Sequence, residues 1–354
     1  MKNKIEQIKT DKKFSFRIAL IMLVLVSFLR EFDYGIRSMN MSLFALSYEY
    51  GFISRGVLGT LLDFICKIGG DHLYNHTTIF MITMAGLVCY FACLIYVAEK
   101  LLKVTGYDDR VMIFILMVTP LLSRMFLTSG SNLGRTDMYL IILSIIACVL
   151  IIKKKLIFLV IPITALGMMI HQGYIFMYFN IVFAMLLYHI YEERVKNGKK
   201  GIYSITVLVI SSLTVIGLLF WFEIFRHRFL PLGEDVLNQV IERAKLLQLH
   251  ENDYNEGFLR HEILGEQTLG NEWKIILTEV FEFLVFLVMS APLFVIIKKF
   301  IKKLFSYIED KKYCIILMCG SLSILPLMIL KCDYGRWIFS VFVYYILLIS
   351  FSII

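Results

Sequence analysis

The chain has 354 residues and a net charge of +8; 59% of its residues are hydrophobic and only 18% are charged. Soluble domains carry about 45–50% apolar and about 25% charged residues, so this composition excludes a water-soluble enzyme. The basic excess does not mark a nucleic-acid binder, because the Lys and Arg residues lie between apolar blocks instead of on one water-exposed face.

The apolar blocks run about 15 to 23 residues, close to what a helix needs to cross a hydrocarbon core of about 30 Å. Ten spans are predicted, over 14–29, 77–98, 111–127, 138–152, 156–170, 174–190, 202–222, 275–297, 313–330 and 337–354. The expected fold is all-α: a single polytopic membrane domain over 1–354, with about ten transmembrane helices and one large extracytoplasmic loop. No small-residue cleavage site precedes Arg30, so the first block reads as a retained span. Cys89, Cys93, Cys148, Cys314 and Cys319 fall inside apolar blocks as small hydrophobes, with no disulfide, redox or metal spacing. Pro120, Pro162, Pro292 and Pro326 predict kinks.

Orientation follows from the tendency of positively charged short loops to stay cytoplasmic. With the N-terminus inside, segments 1–17, 99–110, 153–155, 191–200 and 298–312 hold 22 of the 36 Lys and Arg residues, and both termini are cytoplasmic. The residue types also divide. Only Arg17, Arg110 and Arg194 are inside arginines, whereas ten of the 14 outer cations are Arg: Arg30, Arg37, Arg55, Arg124, Arg135, Arg226, Arg228, Arg243, Arg260 and Arg336. Lys serves as a hydrated topology signal, while the planar guanidinium suits bidentate capture of phosphate or carboxylate. The outer arginines therefore either hold an anionic ligand or anchor helix ends and pair with nearby acids.

In chain order, the first outer stretch carries Asp33-Tyr34-Gly35 and, further on, Glu49-Tyr50-Gly51 with Arg55; the last outer loop repeats the pattern as Asp333-Tyr334-Gly335-Arg336. These fit either sugar and phosphate binding or interfacial Tyr with turn Gly. Val57, Leu58, Leu61, Leu62 and Ile65 recur at helical spacing, which predicts a helix lying in the membrane interface. Ser129 to Asp137 leads into the fourth span, where a helix N-terminus beside Arg135 makes an anion site. His171-Gln172-Gly173 is the whole link between the fifth and sixth spans, and His171 is either a proton acceptor near neutral pH or a helix cap. In the outer loop 223–273, Val236, Leu237, Val240, Ile241, Ala244 and Leu247 trace one face of an amphipathic helix. The polar stretch from His250 to Trp273 reads as a mobile lid or acceptor flap. Glu279 and Glu282 either pair with Arg124 or belong to a proton path. No Walker-type loop, dinucleotide fingerprint or metal motif is present, so neither a cofactor nor a metal is expected.

The middle of the chain resembles a known family. Leu133-Gly134-Arg135-Thr136-Asp137 opening a span, Lys153 to Lys155, and Ile163 to Phe176 around His171-Gln172-Gly173 resemble the Wzy-type polysaccharide polymerases, particularly the EpsG-like branch. Tyr48 to Phe52 and Arg336 with Tyr344 and Tyr345 sit where that branch carries acidic, Gly, Arg and Tyr residues. The paired Arg-rich loop signature of some O-antigen polymerases is not evident. The resemblance implies a GT-C-like glycosyltransferase of a bacterial cytoplasmic membrane, acting at its outer face. It would join polyprenyl-diphosphate-linked oligosaccharide repeat units in exopolysaccharide, capsule or O-antigen assembly, with a flippase and a chain-length regulator as partners. It further implies that Arg135 binds the diphosphate and that His171 positions or deprotonates the acceptor hydroxyl. Arg55, Arg336, Arg37 and Arg124 would assist with the substrate, and Asp33, Glu49 and Asp333 would hold sugar hydroxyls or orient arginines. Two alternatives stand beside this reading: a GT-C enzyme using a polyprenyl-monophosphate sugar, with Asp33 or Glu31 as catalytic acid and a divalent metal, or a lipid-linked sugar flippase or solute transporter.

Overall fold

A computed structural model describes residues 38–105, 133–198, 200–250, 254–265, 310–330 and 334–352, with scattered positions in 14–36 and 281–308. Every secondary-structure element among the described residues is helical. Two of the helices are long and apolar enough to cross a membrane, His76–Leu102 and Ile202–Phe229, of 27 and 28 residues. Only 33% and 22% of their most apolar windows are buried inside the protein. The core helix of a soluble domain would be mostly buried; here Leu213, Ile216, Phe220 and Ile224 lie open along one side.

The bundle is built around α4 (Asp137–Lys153), which packs against α3 (His76–Thr105), α5 (Val160–Ile170), α7 (Phe179–Tyr191) and α14 (Tyr334–Ser352). Helix α8 (Ile202–Phe220) lies against α5 and α7 and continues through a π turn into α9 (Arg226–Phe229). The segments expected as spans over 77–98 and 202–222 fall on the two membrane-length helices, and those over 138–152, 156–170 and 337–354 are helical as α4, α5 and α14 but shorter. Spans 111–127 and most of 275–297 lie outside the described residues.

Two expected spans are broken. That over 174–190 divides into α6 (Tyr174–Met177) and α7 at Tyr178, and that over 313–330 divides into α12 (Lys311–Cys319), a 3-10 stretch Gly320–Ile324 and α13 (Leu325–Leu330). The break at Tyr178 holds no proline, whereas the 3-10 stretch Gly320–Ile324 contains Leu322, the residue four before Pro326 whose carbonyl loses its usual helical donor, as a kink at Pro326 requires; Pro162 sits in the first turn of α5, where a missing N–H costs nothing. Pro120 and Pro292 lie outside the described residues.

A second apolar core forms a cap over one end of the bundle. It comprises α1 (Ser38–Ala45), α2 (Val57–Gly69), α10 (Glu234–Leu247) and α11 (Glu256–Leu264), joined through Met41, Phe44, Leu62, Leu237, Val240 and Ile263. The two predicted amphipathic helices are thus α2 and α10, and α10 carries Glu234 and Asp235 in its first turn, where the dipole favours acids. The described part of the stretch read as a mobile flap is instead a packed helix. Asn255 caps α11 by accepting from Phe258 N–H, and Gly265 ends it in the left-handed region, with a φ of 74°. At the opposite, lysine-rich end, Arg17 pairs with Glu99, Lys154 lies 3.5 Å from Glu192, and the Tyr191 and Tyr313 rings stack at 4.4 Å.

Candidate functional site

The first cluster sits where α4 begins. Arg336, from the start of α14, donates through Nε to Asp137 Oδ1 at 2.8 Å, and the Tyr178 hydroxyl donates to the same oxygen at 2.9 Å. The carboxylate side chain is 1% exposed and the guanidinium 12%. Bonding through Nε fixes the plane of the guanidinium, and the acid compensates a charge that burial alone would not tolerate. Asp137 Oδ2 is buried with no hydrogen-bond partner. Arg135 stands two residues before Asp137, after Gly134, whose φ of 88° and close fit against Asn40 and Ile36 suit only glycine. The amide of Asn40 ties this turn to the cap by donating to the Leu133 carbonyl at 2.7 Å.

The second cluster surrounds the hairpin His171-Gln172-Gly173. His171 leaves α5 in an extended conformation, and its Nδ1 accepts from the Gly173 N–H at 2.9 Å. That bond assigns the proton of a neutral imidazole to Nε2 and makes His171 a cap of the hairpin. Gln172 Oε1 accepts from Arg55 Nε at 3.2 Å. Arg55 also lies 3.5 Å from Glu262 Oε1 and over the Phe258 ring at 5.1 Å, both on α11 of the cap. Ser54 donates to the other oxygen of Glu262, a side chain only 3% exposed. Arg226 donates from Nη1 and Nη2 to the Glu262 and Ile263 carbonyls at 2.6 and 3.0 Å, satisfying acceptors left over in the last turn of α11.

The short α6 joins the two clusters. It begins after Gly173 and ends at Tyr178, so one turn, about 6 Å of rise, separates the hairpin from the residue that bonds Asp137. The break at Tyr178 has a physical cause. In a continuous helix the Phe176 carbonyl would accept from the backbone N–H of Asn180; here it accepts from the Ser323 hydroxyl at 2.8 Å and from the Asn180 side chain at 3.5 Å. Asn180 Nδ2 further donates to Ser323 Oγ and the Gly320 carbonyl, at 3.0 and 3.3 Å. Across the facing break, Tyr344 donates to the Leu317 carbonyl and Tyr345 to the Met318 carbonyl. Tyr344 and Tyr345, singled out in the sequence by resemblance alone, thus satisfy acceptors of an interrupted helix.

Of the sequence-predicted site residues, Arg55 meets the hairpin of His171, and Arg336 meets the helix start that carries Arg135. Glu49 belongs to neither cluster: it is 69% exposed and pairs with Arg243 at 3.0 Å, not with Arg55. Arg243 also bonds Asp63 and the Tyr74 hydroxyl and lies over the Tyr50 ring, which fastens α10 to the first cap segment. Burial alone would lower its pKa, but Tyr74, Asp63 and Tyr50 hold it above the ordinary arginine value. Burial raises the Tyr74 phenol, and Arg243 offsets part of that rise. Asp33, Asp333, Arg37 and Arg124, with Glu31, Glu279 and Glu282, lie outside the described residues.

Glu262 carried a signal that went unread: it shares a helical face with Leu259 and Ile263, an acid inside an apolar stripe. Among the described residues, no three His, Cys, Asp or Glu side chains gather closely enough to hold a metal ion. Comparison of the chain with protein-family models, with curated proteins and with solved structures returned no match in any of the three.

Proposed function

We propose that the protein is a membrane glycosyltransferase of the polysaccharide-polymerase type, with ten spans and both termini cytoplasmic. It joins polyprenyl-diphosphate-linked oligosaccharide repeat units at the outer leaflet. The observation that carries this reading is the placement of two carboxylate-backed arginines, Arg55 and Arg336, at the two ends of one helical turn that starts just after His171. The topology is supported by which segments pair. Arg17 with Glu99 and Lys154 with Glu192 join segments assigned inside, whereas Arg55 with Glu262, Arg243 with Glu49 and Arg336 with Asp137 join segments assigned outside.

In the reaction, an acceptor sugar hydroxyl attacks the anomeric carbon of the donor chain. The bond from that carbon to the diphosphate oxygen breaks, the lipid diphosphate leaves with the electron pair, and the proton lost by the acceptor hydroxyl passes through water to the departing diphosphate. Arg135, Arg336 and Arg55 stabilise the charge growing on that oxygen, the step at which fixed cations contribute most. His171, whose Nδ1 is committed to the hairpin, positions the acceptor sugar beside that turn. Asp33, Asp333, Arg37 and Arg124 enter this reading from their place in the sequence. The test is complementation of a deletion strain with Arg336→Ala, Arg135→Ala and His171→Ala variants, followed by sizing of the surface glycan. Single repeat units displayed outside without long chains are expected; lipid-linked units trapped on the cytoplasmic leaflet would overturn the proposal in favour of a flippase.

A further inference from the structure

Between α7 and the interrupted helix that faces it lies a cleft of about 310 Å³, lined chiefly by Ile175, Phe179, Phe183, Leu187, Ile316 and Leu317. Its polar lining is committed within the protein. Asn180 Nδ2 is held by Ser323 Oγ and the Gly320 carbonyl, and the Ser323 hydroxyl by the Phe176 carbonyl. A polar ligand would find no partner there, whereas a hydrocarbon loses nothing by entering. The cleft opens sideways, since Phe183 and Ile316 are exposed on its rim. The two irregular stretches of backbone beside it are satisfied by side chains, Ser323 bonding the Phe176 carbonyl and Asn180 the Gly320 carbonyl, so the helices meet at those contacts and leave the cleft beside them.

Its position relative to the two arginine clusters decides the occupant. Helix α6 supplies Ile175 to the cleft wall, while Tyr178, at its end, holds Asp137 beside Arg336 and His171 stands just ahead of its start. We infer that the cleft takes the isoprenoid tail of the lipid-linked substrate, which leaves the diphosphate at the arginines and descends along α7. This inference rests on the function proposed above.

Cys319 lines the cleft and is exposed, which makes it a native reporter. In a variant that keeps Cys319 and replaces every other cysteine, reconstituted in liposomes, its reaction rate with a membrane-soluble maleimide is measured with and without a long-chain polyprenyl diphosphate. With that lipid at ten times its Kd, labelling should slow roughly ten-fold, and an equal amount of phosphatidylglycerol should leave the rate unchanged. No slowing, or equal slowing by both lipids, overturns the inference. Should the variant not fold, photocrosslinking of the wild-type chain with a diazirine-bearing polyprenyl diphosphate gives the same answer: label on residues 174–187 and 312–325 supports the site, and label confined elsewhere removes it. Protection without polymerisation would sink the proposed function and leave the cleft standing; polymerisation without protection would do the reverse.

Discussion

Arg336 Nε and Asp137 Oδ1 meet at 2.8 Å across a sequence separation of 199 residues, and the Tyr178 hydroxyl completes the contact from a third segment. The helix at the centre of the bundle and the last described helix therefore share one buried charge pair. Asp137→Ala removes the carboxylate that faces a largely buried guanidinium and should cost about 3 kcal/mol, read as a lower midpoint of thermal unfolding in detergent. Asp137→Asn keeps an acceptor for Tyr178 and should cost less. An unchanged midpoint for the alanine variant would mean that the pair does not form.

Arg243 fastens the two halves of the cap. Arg243→Met removes bonds to Asp63, Glu49 and Tyr74 together and should loosen the cap by about 2 kcal/mol, seen as faster hydrogen exchange in α10 with α4 unaffected. Its folded pKa lies above the ordinary arginine value. Its contribution is therefore complete below that ordinary value and is lost only as pH rises through the folded one, so Arg243 itself should add no pH dependence across about pH 6 to 9. A titration of the cap in that range that disappears in Arg243→Met would contradict this.

Gly320 stands against Tyr344 so closely that an added Cβ would strike its hydroxyl and ring. Gly320→Ala should destabilise the protein by about 2 kcal/mol through overpacking. The same change at Gly217, where a Cβ meets nothing within 4 Å, should be far milder. Equal midpoints for the two variants would show that the break does not pack as described.

Orientation is checked with single cysteines and an impermeant thiol reagent on intact cells stripped of their wall. Glu256→Cys, at the exposed start of α11, should label at once; Lys155→Cys, in the lysine hairpin, should label only after permeabilisation. The opposite pattern would turn the protein over.

The long elements were legible because each is set by its own residues. Helices α3, α4, α8 and α14 follow from apolar run length, and α10 from its stripe and first-turn acids. The breaks at Tyr178 and Gly320 were not, because their causes act across helices: Ser323 takes a carbonyl of another segment, and Tyr344 and Tyr345 reach over from α14. Proline was a partial guide: the irregular stretch Gly320–Ile324 lies just before Pro326, whereas Pro162 sits where its ring is harmless. Within the site, Arg55, Arg336 and His171 stood out by type and position. The partners that orient them, Asp137, Gln172 and Glu262, depend on which distant segments meet, and Glu49 was drawn away by Arg243.

The helical run from Ile202 to Phe229 is 28 residues long, about 42 Å, against a hydrocarbon layer of about 30 Å. Its far end is clasped to α11 by Arg226, so a single rod links the lipid to the roof above the arginines. A thicker bilayer would draw such a rod inward or tilt it upright, which ties the position of the cap to the acyl-chain length of the surrounding membrane.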